Sequence, residues 1–170
     1  MRIPPLRRLF RRRSPMRNET AAAPRLDLDH FLPYRLSVLS NRVSGAIALQ
    51  YSARFDLNVP EWRTMAVLGG TPGLSAREVA ARTAMDKVQV SRAVASLMRK
   101  KRVQRETDEK DARITRLSLT PKGRAIYDQV APLALHLEEL FLSALSPAER
   151  ATLDQLMAKL ARQSSLLGGG

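Results

Sequence analysis

The fold of this chain is decided by residues 75–97, which read SAREVAARTAMDKVQVSRAVASL. Ser75 and Glu78 fit a capping box, in which a serine accepts from the first turn of a helix and a glutamate three residues later reaches back. Asp86 and Gln89 repeat the pattern, so two short helices are predicted with a turn of about four residues between them. This spacing is typical of a helix-turn-helix.

The second of these helices is predicted to have one apolar and one polar face. Val90, Val94 and Leu97 fall on the apolar face at helical spacing. The opposite face carries mainly hydrogen-bonding side chains: Lys87, Gln89, Ser91, Arg92 and Ser96. Such side chains suit base edges and phosphates. They are also what an ordinary solvated helix face would carry.

The spacing of the apolar residues changes from helical to alternating after the basic turn at 100–102. Residues 103–107 and 114–119 alternate like strands, and 108–113 form a polar tip between them. A helix-turn-helix followed directly by a hairpin is a winged helix. Its second helix can enter a major groove, while the hairpin tip carries a cation to the adjacent minor groove.

Positive charge is segregated along the chain, whose net charge is +13. Residues 82–124 hold thirteen Lys or Arg and five Asp or Glu, a net +8, whereas residues 125–170 hold three and five, a net −2. This distribution indicates a dedicated surface for a polyanion, although basic residues that only solvate an outer face would give the same count.

Composition excludes several classes of function. The chain has no cysteine and only two histidines, His30 and His136, which leaves no thiol chemistry and little from which to build a metal site or a catalytic triad. No stretch approaches the length of a membrane span. We therefore expect a cytoplasmic protein that is not an enzyme and needs no metal or other cofactor.

Helices are predicted on both sides of the winged helix. The first runs from a cap at Asp29 to about Phe55, and a short one starts at Pro60 and reaches Leu68. Two more begin at Thr120-Pro121 and Ser146-Pro147. Such apolar helices cannot bury themselves on a small wing domain, so we expect them to pair with a second copy in a twofold homodimer. An intramolecular bundle is the alternative.

The first 25 residues hold eight arginines and one acid and are predicted to form a disordered basic arm. No hydrophobic region follows the arginines, so a secretion signal is not supported. The arm has three open interpretations: a contact with DNA phosphates, an extension ahead of a true start at Met16, or a tail without a specific role.

Residues 75–123 resemble the MarR family of bacterial winged-helix transcriptional regulators. The resemblance is carried by Asp111-Ala112-Arg113 followed by Leu117-Ser118-Leu119-Thr120-Pro121-Lys122-Gly123, in register behind the capped helix-turn-helix. With the flanking helices it extends over roughly residues 28–165. Arg102 departs from the pattern, because the family commonly has a glycine there, and a different local turn is expected.

The resemblance implies roles for individual side chains. Arg113 would enter the minor groove and Asp111 would orient it, unless the two form only a surface ion pair. Gln89, Ser91 and Arg92 would read bases and Lys87 would contact a phosphate. MarR-like proteins often bind small aromatic or phenolic acids, and some bind their coenzyme A thioesters. The candidate effector lining is Ser37, Asn41, Trp62, Arg63 and Met65, with Trp62 as a core residue being the alternative.

The sequence thus predicts a mainly α fold with a small β-hairpin wing: a winged helix-turn-helix domain plus helical dimerisation arms. The predicted divisions are a basic arm at 1–26, a dimerisation helix at 27–58, the DNA-binding domain at 59–121 and dimerisation helices at 122–167. The predicted function is a ligand-responsive repressor that binds double-stranded DNA at a pseudo-palindrome. The alternative is an architectural protein that binds nucleic acid without sequence specificity.

Overall fold

The computed structural model describes residues 25–107 and 115–167. Within them lie six helices and one antiparallel pair of strands in the order α1, α2, α3, α4, β1, β2, α5, α6. The predicted arm and the wing tip, with Asp111 and Arg113, fall outside the described residues. The helices and strands have these bounds: α1 Leu32–Phe55, α2 Val59–Gly70, α3 Ala76–Thr83, α4 Lys87–Arg99, β1 Val103–Thr107, β2 Thr115–Leu119, α5 Pro121–Leu142 and α6 Pro147–Leu167.

The chain divides into two compact units, Met1–Leu36 and Ser37–Gly170. In the first unit, α1 begins later than predicted. The carboxylate of Asp27 accepts from the Asp29 amide at 3.0 Å and lies 2.7 Å from His30 Nδ1, in a turn that precedes the helix. Asp29 is therefore not the cap of α1, and the helix starts three residues after it, at Leu32.

The helix-turn-helix has the predicted caps. Ser75 and Glu78 form a capping box at α3, Asp86 and Gln89 form one at α4, and Ala84 turns the chain between them in the left-handed region. A capping box at Asn58 and Glu61 starts α2 one residue before the predicted Pro60. These side chains satisfy amides that a helix leaves unpaired, which is why the elements begin where they do.

The second unit has one hydrophobic core beneath the helix-turn-helix and the hairpin. It contains Tyr51, Phe55, Met65, Leu68, Val79, Val90, Val94, Leu97, Val103, Leu117 and Val130 among its buried side chains. The strands pair in one register, with Val103 opposite Leu119 and Thr107 opposite Thr115. Leu74 adds a bridge to Leu117, so the loop before α3 is fixed to the hairpin.

The turn between α4 and β1 explains why Arg102 can replace a glycine. The left-handed residue is Lys101, with φ 56°, and the Arg102 amide donates to the Leu97 carbonyl at 2.9 Å. The conformation that favours glycine thus falls one residue earlier. Arg102 is buried, and its carbonyl accepts from the Thr120 amide at 3.0 Å.

Candidate nucleic-acid interface

Helix α4 presents a defined outer face because its inner face is fully packed. Val90, Val94 and Leu97 are buried. At the start of the helix, the Asp86 carboxylate accepts from the Gln89 amide at 2.7 Å, and Gln89 Oε1 accepts from the Asp86 amide at 3.3 Å. The rotation of α4 about its own axis is thereby fixed.

The side chains predicted to read DNA from α4 all reach solvent. Lys87, Gln89, Ser91 and Arg92 are exposed in the first half of the helix. The capping contact occupies the carbonyl side of the Gln89 amide and leaves its NH₂ group to donate. These positions agree with base and phosphate contacts, which remain predictions.

Sequence reasoning missed Val88, which is 57% exposed. The outer face was predicted to carry mainly hydrogen-bonding side chains, yet Val88 precedes Arg92 by four residues and therefore shares its side of the helix. An exposed methyl-bearing side chain can contact the methyl group of thymine. The exposure of Val88 could have been predicted from the sequence, because Val88 falls outside the apolar stripe of Val90, Val94 and Leu97.

Ser96 belongs to a different contact from the one predicted. It follows Arg92 by four positions and so lies on the same side of α4, but it is half-buried, and a hydrogen bond from its side chain favours the charged form of Glu61 on α2. The reason is that α2 packs against α4 and brings a buried acid to it.

A polar anchor joins the end of α4 to α2 and to the turn before it. Lys100 Nζ lies 3.0 Å from Glu61 Oε1 and 3.1 Å from Asp56 Oδ2, and it donates to the Asp56 carbonyl at 2.7 Å. Arg102 donates to the same carbonyl at 2.9 Å. Two cations thus hold the turn at Asp56, a non-glycine residue with φ 48°.

Glu61 is almost completely buried at the centre of this anchor. Burial by itself raises the pKa of Glu61, but hydrogen bonds from Ser96, the Asn58 amide and Lys100 outweigh it and hold the pKa below its ordinary value of 4.5. A charged, buried carboxylate is tolerated only with such partners. The orientation of α4 therefore depends on α2.

A small cavity lies on the other side of α2, against α1. Its volume is about 130 Å³, and it is lined by Ser44, Ile47, Tyr51, Val59, Trp62 and Arg63. Arg63 Nη2 donates to Ser44 Oγ at 3.1 Å. Burial raises the pKa of Tyr51 to about 12, against a smaller lowering by Arg63, so the phenol stays neutral.

A row of three aromatic rings runs past the cavity, and two of them, Tyr51 and Trp62, belong to its lining. The Trp62 ring lies 5.6 Å from Tyr51 and stacks at 6.0 Å on Tyr127 of α5. Arg124 lies over Tyr127 and donates to the Gly69 carbonyl at 3.0 Å. Trp62 is therefore both a packing residue and a wall of the cavity.

The predicted effector residues are only partly brought together here. Trp62 and Arg63 line the cavity, whereas Met65 is fully buried in the core and does not. Ser37 and Asn41 are exposed and lie outside its lining. The prediction missed the wall residues that α1 contributes, among them Ser44 and Tyr51. Ser44 follows Asn41 at helical spacing, so the cavity meets the same face of α1 one turn after Asn41.

Within residues 25–107 and 115–167, no group of three or more His, Asp or Glu side chains is close enough to hold a metal ion. None of the described helices combines the length and the apolar character that a membrane crossing requires.

Known proteins similar to this chain were found by sequence and by structure. A family model described as MarR family matches residues 55–114. The HTH-type transcriptional regulator BilQ of Clostridium symbiosum (strain WAL-14163) is 33% identical over 95 residues, which are 56% of this chain and 66% of that protein. A relative from Thauera aromatica, named as a regulatory protein for the hcr operon, is 31% identical over 99 residues, 58% of this chain and 60% of its own length. The chain thus spans slightly less than two thirds of each relative.

The fold is confirmed by a solved structure, the MarR/EmrR family transcriptional regulator from Acinetobacter sp. ADP1. It superimposes with a TM-score of 0.76 at 25% identity, over 83% of this chain and 99% of the other. The expectation that the chain is not an enzyme is confirmed by its relatives, which are named as transcriptional regulators. The helix-turn-helix region of the chain thus matches the MarR family, and its fold is that of a MarR-family transcriptional regulator.

Proposed function

We propose that this protein binds double-stranded DNA as a homodimer and represses transcription from a pseudo-palindromic operator. The observation that carries the proposal is the outer face of α4, where Lys87, Gln89, Ser91 and Arg92 are exposed on a helix whose rotation is fixed by its cap and its core. Repression is favoured over activation because blocking a promoter requires fewer protein surfaces.

The charge of this region supports binding to DNA. The net +8 of residues 82–124 falls on the end of α3, on α4 and the turn after it, on the hairpin and on the start of α5. Neutralising phosphates releases counterions and supplies affinity without sequence information, while the side chains of α4 supply discrimination between bases. In this proposal residues 59–121 form the DNA-binding domain, with Asp111 and Arg113 at the wing tip.

Unburied apolar side chains support a homodimer formed through the flanking helices. The side chains of α6 are exposed from Pro147 to Leu166, except for Arg150, which is half-buried. Leu156 and Met157 are each 50% exposed. Two apolar grooves of about 360 and 280 Å³ lie between α1 and α5, with Val43, Ile47 and Phe141 in both. A second copy would cover these surfaces, with residues 27–58 and 122–167 as dimerisation helices.

The test is selection of binding sites from a random duplex library, followed by footprinting of the selected DNA. A regulator should enrich an inverted repeat with half-sites about one helical turn apart and protect it in register. Arg92→Ala should relax base preference at one position of each half-site, whereas Arg162→Ala on α6 should not. Protection without register, and no enriched sequence, would support the architectural alternative instead.

We propose further that a small aromatic acid binds the cavity between α1 and α2 and releases the DNA. A cavity of about 130 Å³ matches one aromatic ring, since an engineered cavity of about 150 Å³ takes up benzene. Arg63 supplies a cation for a carboxylate and Trp62 a surface for ring stacking. This size favours a free aromatic acid over its coenzyme A thioester.

The connection to DNA runs through α2. Its first turns carry Glu61, which is bonded to the end of α4, and the neighbouring Trp62 and Arg63, which line the cavity. A ligand that fits only one position of α2 would therefore favour one position of α4. Differential binding of this kind shifts an equilibrium between two conformations.

The single tryptophan of the chain reports on this cavity directly. Titration with 4-hydroxybenzoate should change Trp62 fluorescence and release operator DNA, and the neutral 4-hydroxybenzamide should do so much less well. Arg63→Gln should weaken the response at least tenfold, while Arg162→Gln should leave it intact. An unchanged fluorescence with the acid, the amide and the thioester, in protein that binds its operator, would remove this cavity as an effector site.

A further inference from the structure

A polar groove lies beside the hairpin, between its strands and the first turn of α3. Its volume is about 720 Å³, and its lining includes Ser75, Arg77, Glu78, Arg105, Thr115 and Arg116. None of these residues is among those predicted to contact DNA. The groove is separate from the outer face of α4 and from the cavity at Trp62.

The groove is built by rigid elements. The loop before α3 is hydrogen-bonded to β2 on both sides, from the Gly73 amide to the Leu117 carbonyl at 2.9 Å and from the Leu117 amide to the Leu74 carbonyl at 2.8 Å. Arg105 stands opposite Leu117 in the strand register, and directly opposed residues project on the same face of a sheet. Arg105 therefore extends beside Leu117 toward the first turn of α3, where Arg77 lies.

The balance of charge in the groove is positive after internal pairs are formed. Glu78 accepts from the Ser75 amide at 2.8 Å and from its hydroxyl at 2.7 Å, and it pairs with Arg116 at 3.3 Å. The Ser75 amide and hydroxyl, with a smaller contribution from Arg116, hold the pKa of Glu78 below its ordinary value. Its charge is thus already engaged.

Arg77 and Arg105 are the two remaining cations. Both are exposed, and neither makes an ion pair or side-chain hydrogen bond within the described part of the chain. Glu106, the acid next to Arg105 on β1, accepts from Gln104 at 2.8 Å and alternates to the other face of the strand. Two guanidinium groups beside the hydroxyl of Thr115 are a set of donors suited to phosphate oxygens.

Helix α3 packs against both α4 and β2, the elements that lead to the proposed major-groove and wing contacts, and the groove lies between the first turn of α3 and the hairpin. A sugar-phosphate backbone separates the major from the minor groove. We infer that Arg77 and Arg105 bind the backbone phosphates that run between the α4 contact and the wing contact of each half-site. This inference rests on the proposed function and adds to it a contact that positions the protein without reading bases.

The test compares the double variant Arg77→Gln/Arg105→Gln with wild-type protein on selected operator and on random duplex, across salt from about 50 to 200 mM. Each lost phosphate contact lowers the slope of log Kobs against log [salt] by about 0.9, so a dimer lacking four contacts should lose roughly 3 to 4. Affinity for both duplexes should fall by a similar factor, on the order of tenfold or more.

Lys159→Gln/Arg162→Gln is the matched control, because it removes the same charge from two exposed positions of α6. It should keep nearly the wild-type slope. Arg77→Lys/Arg105→Lys should recover most of the slope, since it keeps the charge. Ethylation of phosphates between the two grooves should weaken wild-type binding and leave the Gln variant unaffected.

Two results overturn the inference while the proposed function stands. One is an unchanged salt slope in a Gln variant that still protects the operator, and the other is a loss of operator affinity without loss of random affinity. Failure of wild-type protein to select any operator would instead overturn the proposed function. Millimolar inorganic phosphate could also lower the salt slope of the wild-type protein to that of the Gln variant, with no protection of the DNA backbone between its grooves. This result would assign the protein groove to a free anion and would also overturn the inference.

Discussion

At the residue scale, Gly123 has the clearest structural requirement. It lies in the first turn of α5, and a Cβ at this position would overlap the carbonyl oxygen of Arg102 and lie 2.9 Å from its carbonyl carbon. The same crossing is held by the Thr120 hydroxyl, which donates to the Lys101 carbonyl at 2.8 Å, and by the Gly123 amide, which donates to that hydroxyl at 3.0 Å. The turn after α4 therefore rests directly on α5.

Gly123→Ala should lower the free energy of unfolding by about 1–3 kcal/mol or more, because both partners in the overlap are backbone and must move apart. Urea denaturation at one fixed protein concentration measures this change. Gly45→Ala is the control, since nothing lies within 4 Å of an added Cβ there, in the middle of α1. It should raise stability by about 0.5–1 kcal/mol. A Gly123→Ala protein as stable as wild type would contradict this close contact between α5 and the turn after α4.

At the element scale, the sequence predicted helix starts wherever a side chain completes the first turn. Ser75, Asp86 and Thr120 cap α3, α4 and α5 as expected, because capping depends on residues within three positions of one another. The same local rule, applied at Asn58 and Glu61, would have located the start of α2. Asp29 failed as a cap because Asp27 occupies the turn before α1.

Contacts between distant elements were not available from local patterns. Ser44 meets Arg63 across 19 positions and Lys100 meets Glu61 across 39, so neither the cavity nor the anchor beneath α4 leaves a periodic signal. Trp62 and Met65 stand three positions apart on α2, yet one lines the cavity and the other lies in the core. Helical spacing identifies a face of a helix, and only tertiary packing divides that face between core and cavity.

At the scale of the whole molecule, charge and apolar surface are separated. Basic residues concentrate on the helix-turn-helix and hairpin, while the exposed apolar side chains concentrate on other helices, notably α6 with Leu153, Leu156, Met157 and Leu160. These four recur at helical spacing and form one stripe. A stripe left in water in one chain, beside a separate basic surface, is the arrangement expected when a twofold partner covers the first and DNA the second.

Leu156→Glu/Leu160→Glu should therefore convert the proposed dimer to a monomer of 19.0 kDa in light scattering, because it places two carboxylates in the centre of the stripe. Ala151→Glu/Ala158→Glu adds the same charge on the opposite side of α6 and should remain dimeric. Both variants should keep the near-ultraviolet signal of Trp62, since no part of α6 belongs to the core around it. The monomeric variant should lose most of its operator affinity and keep weak binding to a single half-site. A Leu156→Glu/Leu160→Glu protein that still has twice the chain mass would show that copies of this chain associate through another surface.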